Sequence, residues 1–204
     1  MKKTGVVAGI LAVCAVLLAF YFDRDLTKLV SFLHNDIFDS FFLAITFVGG
    51  EVLVFFILTV AFLWQEHKRK WIAPLWAGFG VSAAIGFIMK ILIHRARPFQ
   101  QGLISLIPNL QEVSYSLWNF SFPSLQSMFV FSALPVLSAA FPKFKKFWII
   151  FAVLVAFSRV YFGVHFFSDV VVGAIIGYGI GLLIAKTEKK NKFGEKVYRR
   201  IFSK

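Results

Sequence analysis

Long apolar runs alternate along the chain with short polar breaks, and the runs exceed what the core of a soluble domain uses. A helical residue rises about 1.5 Å and the hydrocarbon of a bilayer is about 30 Å thick, so about 20 mostly apolar residues make one crossing. Six stretches fit that description: about 5–22, 48–64, 71–93, 123–141, 147–164 and 168–185. The pattern predicts an all-α, polytopic membrane protein built as a bundle of six transmembrane helices.

Between the first two runs, Leu26, Leu29, Val30 and Leu33, then Ile37, Phe38, Phe41 and Phe42, recur at helical spacing, with Lys28, Asn35 and Asp36 among them. This amphipathic pattern over Asp25–Phe47 predicts an interfacial helical segment lying on the membrane after the first span. Residues 99–122 carry Pro108, Asn109, Gln111, Glu112 and several serines, and read as a loop over whatever lies at that end of the bundle. No internal repeat or low-complexity tract is visible. Residues 1–185 read as a single membrane-embedded domain and 186–204 as a basic cytoplasmic tail.

Met1-Lys2-Lys3 followed by Gly5 to Phe20 has the outline of a signal peptide, but it runs into Phe20-Tyr21-Phe22 without a small-x-small cleavage pattern. It reads as a retained anchor.

Composition supports the bilayer as solvent: 59% of residues are hydrophobic, against about 45–50% in soluble domains. The formal charge is +12, from 22 Lys and Arg against 10 Asp and Glu. In a soluble protein that balance would suggest nucleic acid. Here the cations lie between apolar runs, and cytoplasmic loops are enriched in Lys and Arg. Placing the N-terminus inside puts sixteen of the 22 on the cytoplasmic side, with both termini. Anionic membrane lipids, not nucleic acid, are their expected partners. Cys14 is the single cysteine, so one chain can build neither a disulfide framework nor a cysteine metal site.

Six cations remain. Arg24 and Lys28 fall in the interfacial segment, and Lys90, Arg95, Arg97 and Arg159 gather at the outer ends of the third and fifth spans. Lys90, His94 and Arg97 follow i, i+4, i+7 spacing, which predicts one helical face before Pro98 ends the helix. Arg159 follows Ser158, then come His165 and Asp169. A carboxylate four residues on can hydrogen-bond the imidazole, fix its tautomer and raise its nucleophilicity, while the neighbouring cations suit phosphoryl oxygens. At the outer end of the fourth span, Phe122-Pro123-Ser124 predicts a proline-started helix whose N-terminus and hydroxyl favour an anion. Together these segments read as a phosphate cradle.

Lys90, six residues, Arg97-Pro98, together with Ser158-Arg159, five residues, His165, three residues, Asp169, resemble the first and third motifs of the type 2 phosphatidic acid phosphatases. These are integral membrane lipid phosphatases related to vanadium haloperoxidases, and the resemblance covers roughly residues 34–185. It implies that His165 is a nucleophile forming a phosphohistidine, that Asp169 orients it, and that Lys90, Arg97, Ser124 and Arg159 hold the phosphoryl group, with no metal and no cofactor. The family's second motif, Pro-Ser-Gly-His, is replaced here by Pro123-Ser124-Leu125-Gln126. In the family that histidine helps bind phosphate and protonates the leaving oxygen. Gln126 can hydrogen-bond but cannot deliver a proton, and losing a general acid costs about 10²–10⁴-fold in rate. Leu125, where the family has glycine beside the phosphate, is expected to distort the cradle. His94 is the one candidate substitute acid, although a structural or headgroup-facing role is expected for it; His34 and His67 stay outside the site.

The implied function is hydrolysis of a phospholipid or prenyl (di)phosphate at the extracytoplasmic face of the cell membrane. A diphosphate lipid expels a phosphate monoester whose second pKa is about 6, whereas a monophosphate lipid expels an alkoxide whose conjugate acid is near water's pKa of about 16. Without the acid, prenyl diphosphates such as an undecaprenyl carrier are the favoured substrates, with phosphatidate and phosphatidylglycerol phosphate as the others. The alternative is a lipid-phosphate-binding pseudoenzyme. A membrane scaffold is the third reading, and it rests on the Gly173, Gly177, Gly181 stripe, which suits close helix packing. The stripe is expected to pack within the bundle, with a homo-oligomer as its second use.

Overall fold

The computed structural model describes residues 2–104 and 120–202, and among these every regular element is a helix. We label them α1 (Lys2–Ser31), α2 (Asp36–Val48), α3 (Glu51–Trp64), α4 (Ile72–Ile93), α5 (Leu125–Ala140), α6 (Lys145–Tyr161), α7 (Phe167–Asn191) and α8 (Phe193–Phe202). Most of the predicted 99–122 loop, residues 105–119, lies outside the described residues.

The first difference from the sequence reading is the length of α1, which continues through the polar positions after residue 22 and ends only at Ser31. Asp23 and Thr27 look like a membrane boundary in sequence, yet both are buried against protein, and the Thr27 hydroxyl donates to the Asp23 carbonyl at 2.8 Å. No glycine or proline lies between residues 10 and 48 to break the helix earlier, and after Ser31 a short turn leads to Asn35, which caps the next helix, its side chain accepting from the N–H groups of Ile37 and Phe38.

The second difference concerns the expected interfacial segment and second span. Their residues form α2 and α3, which meet at a 62° bend and together have the length and apolarity of one crossing. Gly49 and Gly50 lie at the break, and a Cβ on Gly49 would sit 2.4 Å from Val155 Cγ2 on α6. Glycine at position 49 thus lets the bend approach α6 closely. α4, counted with the short turn before it, and α7 are each long and apolar enough to cross a membrane alone, while α5 is shorter.

The α5–α7 pair forms the centre. A Cβ on Gly173, Gly177 or Gly181 would lie 2.7, 2.2 or 2.2 Å from the carbonyl oxygens of Ser124, Met128 and Ser132. The glycine stripe therefore packs inside the bundle, where a methyl group would push α5 away. Phe62, Leu75, Phe79, Val130, Leu134 and Val155 fill one core, and Val30, Val160, Tyr161, Phe162 and Val170 fill a second beneath the site. Leu17, Phe32, Trp64, Leu92 and Leu183 point outward and stay exposed, as lipid-facing side chains would. At the other end, residues 186–191 continue α7 and α8 folds back onto α4, with the Gly194 N–H donating to Glu188 Oε2 at 2.7 Å.

Candidate active site

His165 lies in the short turn between α6 and α7, outside both helices. The turn depends on Gly163, whose φ is +61° and whose Cβ would lie 2.1 Å from Ile104 Cγ2, so both conformation and space require glycine. The His165 N–H closes the turn onto the Arg159 carbonyl at 3.2 Å. The imidazole is buried, 4% exposed. Burial first, then the charges of Arg97, Lys90 and Arg159, hold its pKa well below the usual 6.5. Both effects favour the neutral imidazole.

Three cations surround it. Lys90, on the last turn of α4, donates its Nζ to the Phe120 carbonyl. Arg97 Nη1 donates to the Val164 carbonyl at 2.6 Å and lies 3.3 Å from His165 Nε2. Arg159 Nη1 donates to Thr46 Oγ1 at 2.5 Å, and its buried Nε has no hydrogen-bond partner among the described residues. Like charges packed this closely are unfavourable without an anion, and the Arg159 Nε donor is available to one.

Arg97 reaches His165 by a route other than the predicted helical face. α4 ends at Ile93, because His94 adopts the left-handed conformation (φ 50°) with its N–H on the Lys90 carbonyl. Residues 94–97 are irregular and are pinned by Ser121, whose N–H donates to the Arg95 carbonyl at 2.8 Å and whose hydroxyl donates to the Ala96 carbonyl at 3.3 Å. This delivers Arg97 to the imidazole and turns His94 outward onto the Phe120 ring, 4.4 Å between centroids. His94 therefore does not share a face with Lys90 and Arg97.

The fourth predicted segment also starts differently. Ser124, not Pro123, precedes the first helical residue and caps α5: its Oγ accepts from the Ser127 N–H at 3.4 Å and the Ser127 hydroxyl at 3.0 Å. Among the described residues its own hydroxyl hydrogen has no acceptor, and its N–H donates to the Asp169 carbonyl at 3.0 Å. Leu125 has ordinary helical backbone and needs no left-handed conformation. Its side chain occupies the space where a Cβ on Gly86 would stand, 2.3 Å from Leu125 Cδ2. Leu125 thus packs against a glycine on the facing helix. Gln126 is buried and turned to α2, where its Nε2 donates to the Thr46 carbonyl at 2.8 Å.

Asp169 departs most from expectation. His165 Nδ1 lies 3.6 Å from Asp169 Oδ2, too far for a hydrogen bond, and is buried without a partner among the described residues. The carboxylate instead accepts from the Phe166 N–H at 2.8 Å and from Arg95 Nη1 at 2.6 Å. Arg95 reaches further, with Nη1 to Ser168 Oγ at 2.7 Å and Nη2 to Asp23 Oδ2 at 2.7 Å, and its guanidinium stacks 4.0 Å from the Phe166 centroid.

All seven predicted positions, Lys90, Arg97, Ser124, Gln126, Arg159, His165 and Asp169, therefore meet at one end of the bundle. Sequence reasoning missed Thr46, Asp23, the role of Arg95, and Glu51, whose carboxylate is within electrostatic reach of Lys90, Arg97 and Arg159. Only Arg95 carried a signal, as a fourth cation in the outer cluster. His34 and His67 lie elsewhere, as expected; His34 bridges Asp39 at 2.8 Å and the Tyr161 carbonyl at 3.1 Å. Among the described residues no cluster of His, Cys, Asp and Glu has metal-holding geometry.

Comparison with known proteins agrees with the motifs. The undecaprenyl-diphosphatase of Sulfolobus acidocaldarius is 28% identical over 174 residues, 82% of this chain and 79% of that protein. Phosphatidylglycerophosphatase B of Bacillus subtilis is 35% identical over 129 residues, 56% of each chain. The crystal structure of a transmembrane PAP2-type phosphatidylglycerolphosphate phosphatase from Bacillus subtilis superposes with a TM-score of 0.70 at 24% identity, covering 89% of this chain and 96% of that one. Residues 71–193, which hold every predicted site residue, match the PAP2 superfamily, and the chain belongs to that family.

Proposed function

We propose that the protein is a metal-independent lipid phosphatase that hydrolyses prenyl diphosphates in preference to lipid monophosphates, through a phosphohistidine on His165. The observation that carries this reading is a buried imidazole whose Nε2 lies 3.3 Å from Arg97 Nη1, with Lys90 and Arg159 beside it. The cations, the Ser124 hydroxyl and the N-terminus of α5 gather the phosphoryl oxygens. His165 Nε2 attacks phosphorus as the bond to the leaving oxygen breaks, giving a phosphoramidate, and water then attacks phosphorus to release inorganic phosphate and return the lone pair to the ring. Positive charge developing on the imidazole is balanced by Asp169, 3.6 Å from Nδ1.

The Gln126 amide donates to Thr46 and can supply no proton. A leaving phosphate monoester, with its second pKa of about 6, departs without one; an alkoxide does not. That supports a diphosphate substrate, as does the likeness to the undecaprenyl-diphosphatase. The chain would cross the cell membrane six times, with both termini cytoplasmic and the site facing outward, as the placement of its Lys and Arg residues supports.

The deciding experiment is phosphate release by purified, detergent-solubilised protein from a prenyl diphosphate and a phosphatidate, in chelator, beside His165→Ala. Release from the diphosphate that vanishes in His165→Ala is expected. A folded protein that binds both lipids and releases phosphate from neither would instead be a lipid-phosphate-binding pseudoenzyme.

A further inference from the structure

Asp23 belongs to α1, outside the segment that matches the family, yet it is buried against the site. Its Oδ1 accepts from the Ser168 N–H at 2.8 Å, capping α7 from another helix, and its Oδ2 accepts from the Ser168 hydroxyl at 2.5 Å and Arg95 Nη2 at 2.7 Å. Three donors therefore converge on one carboxyl group. Arg95 is thereby shared between two carboxylates, one nitrogen to Asp23 and the other to Asp169.

The arithmetic of this cluster matters to the imidazole. Asp169 paired with Arg95 alone would form a neutral unit with little field left for His165. Asp23 adds a second negative charge, so the Asp23, Arg95, Asp169 group carries −1 toward Nδ1. On its other side the ring faces Lys90 from α4, Arg97 from the segment after it and Arg159 from α6, with the Ser121 backbone also against it; Glu51 on α3 faces the same three cations, and the Asp23, Arg95, Asp169 group is the negative charge on the Nδ1 side.

We propose that Asp23 is a positioning residue for the histidine centre: by capping Ser168 and sharing Arg95, it leaves Asp169 a net negative charge aimed at His165 Nδ1. The first helix is then part of the catalytic machinery and more than a membrane anchor. The kinetic arm of the test rests on the phosphatase reading; the spectroscopic arm does not.

Removing opposite charges in pairs separates this role from a structural one. Asp23→Asn keeps the shape but makes the cluster neutral, and kcat for diphosphate release should fall about tenfold, as with other outer partners of a functional histidine, with KM within about threefold. Adding Arg95→Gln restores the −1 charge, and kcat should return to within about threefold of the parent protein. Unchanged kcat in Asp23→Asn, or a double variant worse than the single, overturns the proposal. If Asp23→Asn does not fold, the comparison is Arg95→Gln with and without Asp23→Asn: the second change should raise kcat, and a further loss overturns the proposal.

If the parent protein releases no phosphate, the phosphatase reading fails and the ¹⁵N ring shifts of His165 in labelled protein at pH 7, assigned against His165→Gln, decide. The Nδ1–H form is expected in the parent protein, loss of that preference in Asp23→Asn, and its return in the double variant. Ring shifts indifferent to Asp23→Asn overturn the proposal.

Discussion

Two polar clusters flank His165, and they are built on opposite principles. Behind Nδ1, Asp23, Arg95, Ser168 and Asp169 satisfy one another, with alternating charges and contacts of 2.5–2.8 Å. In front of Nε2, Lys90, Arg97 and Arg159 repel one another and are held apart by the Phe120 and Val164 carbonyls and the Thr46 hydroxyl. The rear cluster is complete without a ligand, whereas in the front one a single carboxylate, Glu51, faces three cations and offsets them only in part. A bundle that folds in lipid can carry such repulsion only because the rear cluster and the α5–α7 packing fix its walls.

If that contrast is right, equivalent arginine substitutions on the two sides should have opposite signatures. Arg95→Met leaves two buried carboxylates facing each other without their cation, a loss of about 3–5 kcal/mol that should appear as a large fall in Tm of the solubilised protein. Arg97→Met removes one of three like charges, so its Tm should stay at or above the parent value. Its kcat/KM should fall about 10²–10³-fold, as when one preorganised donor to a developing charge is lost. A stabilised Arg95→Met or a strongly destabilised Arg97→Met would reverse the assignment of the clusters.

The front cluster was far more legible in the sequence than the rear one. Lys90 and Arg97 stand at a fixed spacing before Pro98, and Arg159 at a fixed spacing before His165, and such cations at the ends of apolar runs draw attention to anions; of the rear cluster only Asp169 shared in that pattern. Asp23 carried no such signal, because an acidic residue just past an apolar run looks like the membrane's edge, and nothing local says that it faces a residue 72 positions away. The bend between α2 and α3 was hidden for a similar reason: Gly49 and Gly50 are ordinary in sequence until Val155 is placed against them. The space that Leu125 fills was hidden too, because Gly86, against which it packs, lies on another helix. Pattern reports residues that act along one element, and it misses pairs that become meaningful only when elements pack.

Gln126 sharpens the contrast from within the front cluster, since it is tied to Thr46, the residue whose hydroxyl also holds Arg159. Gln126→His should supply the missing proton and raise hydrolysis of a lipid monophosphate by up to about 10²-fold, with a much smaller gain on a prenyl diphosphate, whose leaving group needs no acid. Comparison of the two rates in the same variant is the measurement. Equal gains would mean that the substitution acts through Arg159 or phosphate binding and not through the leaving oxygen.

The smallest effect concerns pH, and its sign follows from which state takes the proton. In the folded protein His165 stays neutral well below pH 6.5, held so by burial and then by Arg97, Lys90 and Arg159. In the unfolded chain the same imidazole protonates near its ordinary pKa of about 6.5. Below that value the unfolded state binds the extra proton, so this residue's contribution to stability is present in full above pH 6.5 and is lost as pH falls, at a rate approaching about 1.4 kcal/mol per pH unit. The Tm of the solubilised protein should therefore decline more steeply between pH 6.5 and 5 than that of His165→Gln, which has no proton to take. Parallel declines would mean that the imidazole is protonated in the folded state, with the rear cluster's negative charge outweighing the three cations in front.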